Sequence, residues 1–351
     1  MPDGTLTATS LWTAASDALP GGGSASGAEV AAYDAARKLV LVLGPEGVDI
    51  LDAATGAPVG GIPKSAVQVP GGGAAMALGG GNSVAVSGDT VAVAFDGPEG
   101  EPNGAVAFFT LNADGSAATW ERTVTGPDFS VPDHVTFTSD GGTLLVALEG
   151  EPRDDYPADP EGGIGVIDVA NGALAVAGFE AFNADREDLV AAGLRLNLPG
   201  ATLAEDVEPE YIAVSGDGAT AYATLQEANA IAEVDIATAT VTRILPLGTK
   251  DHSVEGQGID PSDEDGATEV REVPVSGLFM PDGIASFEIG GTTYLVTANE
   301  GDGREYAVLE DEVEVQDLAL DPAAFPGRHD AAAAGEPRAP HRLRHGWRHG
   351  W

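Results

Sequence analysis

The chain is expected to be all-β, a β-propeller of four-stranded antiparallel blades, and three observations point there. The first is composition: 48 Gly and 23 Pro in a 351-residue chain that is 43% hydrophobic, with few long apolar stretches at a helical period. That balance favours short strands closed by tight turns and still leaves enough apolar side chains for a real core. The second is repeated wording. PDHVTFTSDGGTLLVALEGEP from residue 132, PEYIAVSGDGATAYATLQEAN from 209 and PDGIASFEIGGTTYLVTANEGD from 281 share one grammar. Pro and an acid lead into an alternating strand, a Gly/Asp turn follows, and a second strand ends in a polar, mostly acidic cluster. The third is what comes next: a third strand such as GGIGVIDVANG or AIAEVDIATAT, and often a fourth such as VTRILPLG. Units of about four strands read as propeller blades. A β-sandwich leaves the repeated wording at matching places unexplained.

Taken in order along the chain, residues 1–27, MPDGTLTATSLWTAASDALPGGGSASG, hold no Lys or Arg and no apolar core of signal-peptide length, and are expected to be a flexible segment. The propeller is expected over 28–326, with about five blades present. AEVAAYDAARKLVLVLGPEGVDIL from 28 fits the pattern loosely, and GNSVAVSGDTVAVAFDGPEGEP from 81 fits with Asn82 in the acid's place. The units at 132, 209 and 281 fit closely. Residues 327–351, GRHDAAAAGEPRAPHRLRHGWRHGW, carry four of the six His and two of the four Trp. Their composition differs so much from the rest that a frameshifted or truncated reading frame is the expectation. A ring short of blades would leave unpaired strand edges.

Charge narrows the function. Asp and Glu number 56 against 16 Lys and Arg, for a formal net charge of −40, which argues against nucleic acid as a partner. Self-repulsion on this scale is eased by salt, so a halophilic setting is expected. With no Cys, disulfides, thiolate nucleophiles and Cys-based zinc sites are excluded. No apolar run approaches the roughly 20 residues of a membrane span. There is no GxSxG, P-loop, HExxH or GxGxxG opening a helix, and the Gly runs at 21–23, 71–73 and 79–81 read as connectors.

The repeat also places the acids. In a propeller blade, the entry to the innermost strand and the link between the second and third strands emerge on one face. Asp133, Glu210 and Asp282 should therefore share a rim with Glu149, Glu151, Gln226, Glu227, Asn229, Asn299, Glu300 and Asp302. Gathered carboxylates repel unless a cation or protons neutralise them, and a hard divalent ion with oxygen ligands, Ca²⁺ above all, suits the donor set. The competing reading is an acidic surface whose loops carry exposed charge. Arg304 either binds an anionic group bidentately or pairs with Glu300 or Glu305. DPSDEDGATEVRE at 260–272 places Asp263, Asp265, Gly266 and Glu272 as an EF-hand loop would, but Pro261 breaks the pattern and a solvated insertion is expected. His134 and His252 lack a second His at ligand spacing and read as structural, while His345 and His349 lie in the atypical tail.

The wording resembles the choice-of-anchor I family, bacterial surface or secreted propeller proteins often labelled alkaline phosphatase-like. It is carried by NSVAV at 82, VTFTSDG at 135, LEGEP at 148, DVEPEYIAVS at 206, TLQEANA at 224, LPLGTKDHS at 245, PDGIASFEIGGTTYLVTANEGDGREY at 281 and LALDPAAFP. The resemblance implies a seven-bladed propeller of the YVTN/WD40-like kind and an extracellular or cell-surface location, with no organic cofactor. Two functions stay open. One is a module that binds a small ligand or surface partner, with cations at the rim. The other is a metal-dependent phosphoesterase working through the same carboxylates.

Overall fold

The structure is a computed structural model and describes residues 9–13, 28, 30–99, 101, 103–152, 160–261, 266–301, 303–306, 309–311 and 313. Four four-stranded antiparallel meanders follow one another along the chain. The first holds β1 (Ala31–Asp34), β2 (Leu39–Gly44), β3 (Gly47–Asp52) and β4 (Pro58–Pro63), and the second β5 (Gly81–Ser87), β6 (Thr90–Phe95), β7 (Ala105–Leu111) and β8 (Ala118–Val124). The third holds β9 (Pro132–Phe137), β10 (Thr143–Leu148), β11 (Gly163–Asp168) and β12 (Leu174–Gly178), and the fourth β13 (Pro209–Val214), β14 (Thr220–Leu225), β15 (Ala230–Asp235) and β16 (Thr240–Pro246). A short ribbon of β17 (Thr249–Asp251) with β18 (Ser276–Leu278) precedes a fifth unit, the hairpin β19 (Pro281–Ile289) and β20 (Thr292–Asn299). After it come β21 (Glu305–Tyr306) and β22 (Leu309–Glu310).

The sheets stack serially, as propeller blades do. β5 seats on β1 and β2, β9 on β5 and β6, β13 on β9 and β10, and β19 on β13 and β14. This stacking explains why β6 and β10, after an opening Thr, are unbroken apolar runs and not an alternation of apolar and polar residues. In β6, Val91, Val93 and Phe95 enter the core shared with the first sheet, while Ala92 and Ala94 enter the core shared with the third. In β10, Leu144, Val146 and Leu148 face the second sheet, and Leu145 and Ala147 face the fourth. Side chains alternate across a strand, so a strand buried on both faces needs apolar residues at every position. Each fully buried Phe or Leu contributes about 1.5–3 kcal/mol, and Phe95, Phe109, Phe129 and Leu144 are all of this kind.

One departure from the sequence reading is helical. Between the third and fourth sheets lie a 3₁₀ segment at Glu180–Asp185, α1 (Arg186–Ala191) and α2 (Leu203–Asp206). The second helix opens with a capping box in which the Thr202 side chain accepts from the Glu205 amide and the Glu205 carboxylate accepts from the Thr202 amide. The T-x-x-E spacing was legible, but a helix this short has no apolar periodicity to announce it. Residues 1–8, 14–27 and 314–351, which carry most of the expected N-terminal segment and all of the tail, lie outside the described residues.

Candidate functional site

The site begins with a repeated backbone irregularity. In the third sheet Leu148 pairs with Pro132 but Val146 pairs with Val135, so the first strand carries one extra residue. The same bulge occurs where Leu225 pairs with Pro209 and Ala223 with Ile212, and where Asn299 pairs with Pro281 and Thr297 with Ile284. Pro opens each of these strands because its missing N–H has no ladder partner to lose. The bulged residues are the acids Asp133, Glu210 and Asp282 with their neighbours. A bulge re-aims side chains at a sheet edge, and the pairing sets each bulged acid beside the acidic end of the second strand.

Strain holds the other half of the pair. Val131 and Met280, each just before a Pro, have φ of 43° and 41°, left-handed values unusual for side-chain-bearing residues. Their carbonyls capture the rim: Glu149 N–H donates to Val131 O at 3.0 Å and Glu300 N–H to Met280 O at 3.2 Å.

The carboxylates act on one another across the sheets. Glu149, half-buried after β10, is held well above the usual carboxylate range by desolvation and by repulsion from Glu151, Asp133, Glu227 and Glu208. Glu210 is raised in the same way, by desolvation and then by Glu227, Glu149, Asp133 and Asp282. Tyr211 is pushed up to about 12 by burial and by Asp282, Asp133, Glu210 and Glu300. Acids from the third, fourth and fifth units thus share one electrostatic basin. Asn299 is exposed beside it, its amide oxygen accepting from Thr297 Oγ1 at 3.0 Å. Asp302 lies outside the described residues. Among the described residues, no three His, Asp or Glu side chains converge as a ready-made metal cage.

Two of the expected rim residues are engaged behind it. Asn229 is fully buried at φ 51°; its Nδ2 donates to Gly248 O at 2.8 Å, and its Oδ1 accepts from Phe279 and Met280 N–H at 2.9 and 3.0 Å. It staples the fourth sheet to the strained entry of the fifth. Arg304 is 2% exposed and donates through Nε to Glu208, through Nη1 to Asp206 and Asn197, and through Nη2 to the Asp206 carbonyl, all within 2.6–2.8 Å. Burial pushes its pKa down, but Glu208, Asp206 and Glu227 outweigh that and hold the guanidinium charged. Asp311 extends the clamp: it accepts from the Arg304 amide and pairs with Arg195 at 2.8 Å.

Sequence reasoning missed Asp206 and Glu208, which sit in DVEPEY one step upstream of the repeated Pro-acid pair and were legible only as part of a motif. His134 is structural, as its lack of a spaced partner suggested. Its Nδ1 accepts from Ile212 N–H at 3.3 Å, its ring stacks on Tyr211 at 4.2 Å, and burial lowers its pKa to about 4. His252 is buried, with Nδ1 at 2.7 Å from Gln257 O. In the expected calcium-like insertion, Asp260 accepts from Glu269 N–H and Glu272 from Gly256 N–H, while Asp263 and Asp265 lie outside the described residues.

Serial four-stranded sheets with an acid-lined edge define a β-propeller module. The choice-of-anchor I domain model matches residues 29–345, and the chain belongs to that family. The family suggests a surface-associated protein. No curated protein matches. Among solved structures, the chain is similar to hydrazine synthase of Kuenenia stuttgartiensis, at 15% identity and a TM-score of 0.34, over 59% of this chain and 64% of that one. Among the described residues, no helix is long and apolar enough to cross a membrane.

Proposed function

We propose that the chain is a cell-surface binding module whose acidic rim takes up a divalent cation, Ca²⁺ by its oxygen donors, in order to present a surface to a ligand or partner. The carrying observation is geometric: equivalent bulges set Asp133, Glu210 and Asp282 beside the acidic ends of the neighbouring second strands, where desolvation and then mutual repulsion raise Glu149 and Glu210. Asp133, Glu149, Glu210, Glu227 and Asp282 are the proposed donors, with Glu151, Asn299 and Glu300 around them. Uptake requires these side chains to come closer together than they stand. Asn229 and Arg304 support the site from within the fold. A phosphoesterase would need a basic group to receive its substrate, and Arg304 is engaged with Asp206 and Glu208, so binding is the preferred reading. The charge excess further favours saline surroundings, with a melting temperature that climbs as salt is added.

Calorimetric Ca²⁺ titration of chelator-stripped protein at neutral pH tests the proposal, with melting temperature read in parallel. Saturable binding, proton release and a higher melting temperature are expected, each weakened in Glu149→Gln and Glu210→Gln. Absence of binding and of any thermal shift at millimolar Ca²⁺ would sink the cation site. Phosphomonoester turnover that requires Ca²⁺ would replace the module with the enzyme.

A further inference from the structure

One hydroxyl beside the acidic rim is buried without a partner. Ser130 lies in the link from β8 to β9, two residues before Pro132, at the entry to a sheet that has neighbours on both sides. The residue is 3% exposed, and its Oγ finds no hydrogen-bond partner among the described residues. Its backbone, by contrast, is well held: Ser130 bridges Asn103 of the second unit, and its carbonyl accepts from Gly150 N–H at 3.3 Å. Phe129, just before it, fills the core between the second and third sheets. Successive side chains of an extended chain point to opposite sides, so the Ser130 hydroxyl turns away from that core.

The acidic turn lies alongside. Glu149 N–H donates to Val131 O and Gly150 N–H to Ser130 O, which laces the turn carrying Glu149 and Glu151 to the two residues before Pro132, and Asp133 follows at the bulge. The fold does not require a polar residue at this place. Before Pro209 and Pro281 the corresponding residues are Val207, fully buried in the core of the fourth sheet, and Phe279, which is half-buried. A buried hydroxyl gives up its bonds to water, and one that gains no replacement within the protein calls for an ordered water or an ion.

Ca²⁺ takes about six to eight oxygen ligands. Asp133, Glu149, Glu210, Glu227 and Asp282 would each bring a negative charge to one divalent ion, so neutral oxygens are needed to fill the shell without adding to the repulsion. The amide of Asn229 is spent on the fold, its Oδ1 accepting from Phe279 and Met280 N–H. We infer that Ser130 Oγ is a neutral oxygen ligand of the proposed cation site, which sets the ion at the third sheet's part of the rim, beside Asp133 and Glu149. The inference rests on the cation reading of the rim. An oxygen lone pair of the hydroxyl meets the ion, and its proton is left to donate to a rim carboxylate.

Calorimetric Ca²⁺ titration of the chelator-stripped full chain, beside thermal melts of the chelated protein, tests this on wild type and Ser130→Ala. The variant should bind Ca²⁺ about tenfold more weakly, the lower end of what a supporting group contributes to metal affinity. Its melting temperature in chelator should equal or exceed that of wild type, because the substitution breaks no hydrogen bond within the protein. Wild type that binds Ca²⁺ together with a variant that binds it equally well overturns the inference and leaves the hydroxyl holding a water only, with the cation site intact. A lower melting temperature of the chelated variant also overturns it, by showing that the hydroxyl serves the fold. Wild type that binds no Ca²⁺ removes the cation site itself, and this ligand with it.

Discussion

Replacing Arg304 by Met removes a buried cation from between two buried anions. The side chains of Arg304, Asp206 and Glu208 are 1%, 0% and 2% exposed. The substitution therefore takes the closest cation from two carboxylates that water cannot reach, leaving Arg186 at 3.8 Å from Asp206, and deletes the bonds to Asn197 and the Asp206 carbonyl. Removing one partner of such a pair costs about 3–5 kcal/mol, because the remaining charge keeps its full desolvation penalty. At about 2.1 cal/mol/K per residue, a domain the length of residues 29–345 shifts by about 1.5 °C per kcal/mol, so the melting temperature should fall by roughly 5–8 °C. The deficit should depend on pH. Desolvation already raises Asp206, against the lowering effect of Arg304. Without that guanidinium the folded-state pKa climbs further, so the variant is least unstable below the unfolded-state pKa and loses ground as pH rises through the folded one. Thermal melts of Arg304→Met from pH 5 to 8, beside the triple variant that adds Asp206→Asn and Glu208→Gln, provide the check. The triple variant should recover more than half of the loss. A deficit below about 1 kcal/mol, the value of an exposed pair, would refute the buried clamp.

Three further outcomes follow from the same neighbourhood. Folded-state pKa values of Glu149 and Glu210 are raised, so chelated wild type should gain stability as pH falls from neutrality toward 5, and Glu210→Gln should flatten that gain; steady loss over this range in the wild type would contradict the shared basin. His134 runs the other way: with its pKa lowered from 6.5 to about 4, its contribution is present above 6.5 and is lost as pH falls toward 4, and its imidazole resonance should titrate with a midpoint near 4 and not near 6.5. Asn229→Ala leaves the Phe279 and Met280 amides without their acceptor, and chemical denaturation should show a loss of about 2–4 kcal/mol, largely independent of Ca²⁺.

The repeated wording at 132, 209 and 281 made the sheets legible because each unit sets a Pro-acid entry, a strand, a Gly/Asp turn and a second strand at matching places. The same repetition aligned Asp133 with Glu210 and Asp282, and the structure sets all three at equivalent bulges. What sequence could not supply was direction. Arg304 was weighed against Glu300 and Glu305, its near neighbours in the chain, yet its partners Asp206 and Glu208 lie 98 and 96 residues away. Likewise, an amide at 229 reads as a neutral ligand until its oxygen is found accepting two backbone N–H groups from another unit. Residue type indicated chemistry in both cases. Only the fold reveals whether that chemistry faces the rim or the interior.

Why the acids do not simply move apart has a structural answer. Asp133, Glu210 and Asp282 sit at bulges whose register is continuous with the ladders that align the cores. A one-residue slip that carried an acid away would turn every apolar side chain of that strand to the wrong face. Glu149 and Glu300 are tethered by their own amides to the carbonyls of two left-handed residues. The backbone that carries these charges is therefore fixed by the interactions that make the sheets, so the side chains can adjust but the acids cannot leave the edge, and added positive charge relieves them. On the inner side Arg304 provides it for Asp206 and Glu208. On the outer side desolvation and acidic neighbours raise Glu149 and Glu210, and the proton release expected if the proposed Ca²⁺ uptake occurs distinguishes exchange of protons for the cation from a rim that takes up neither.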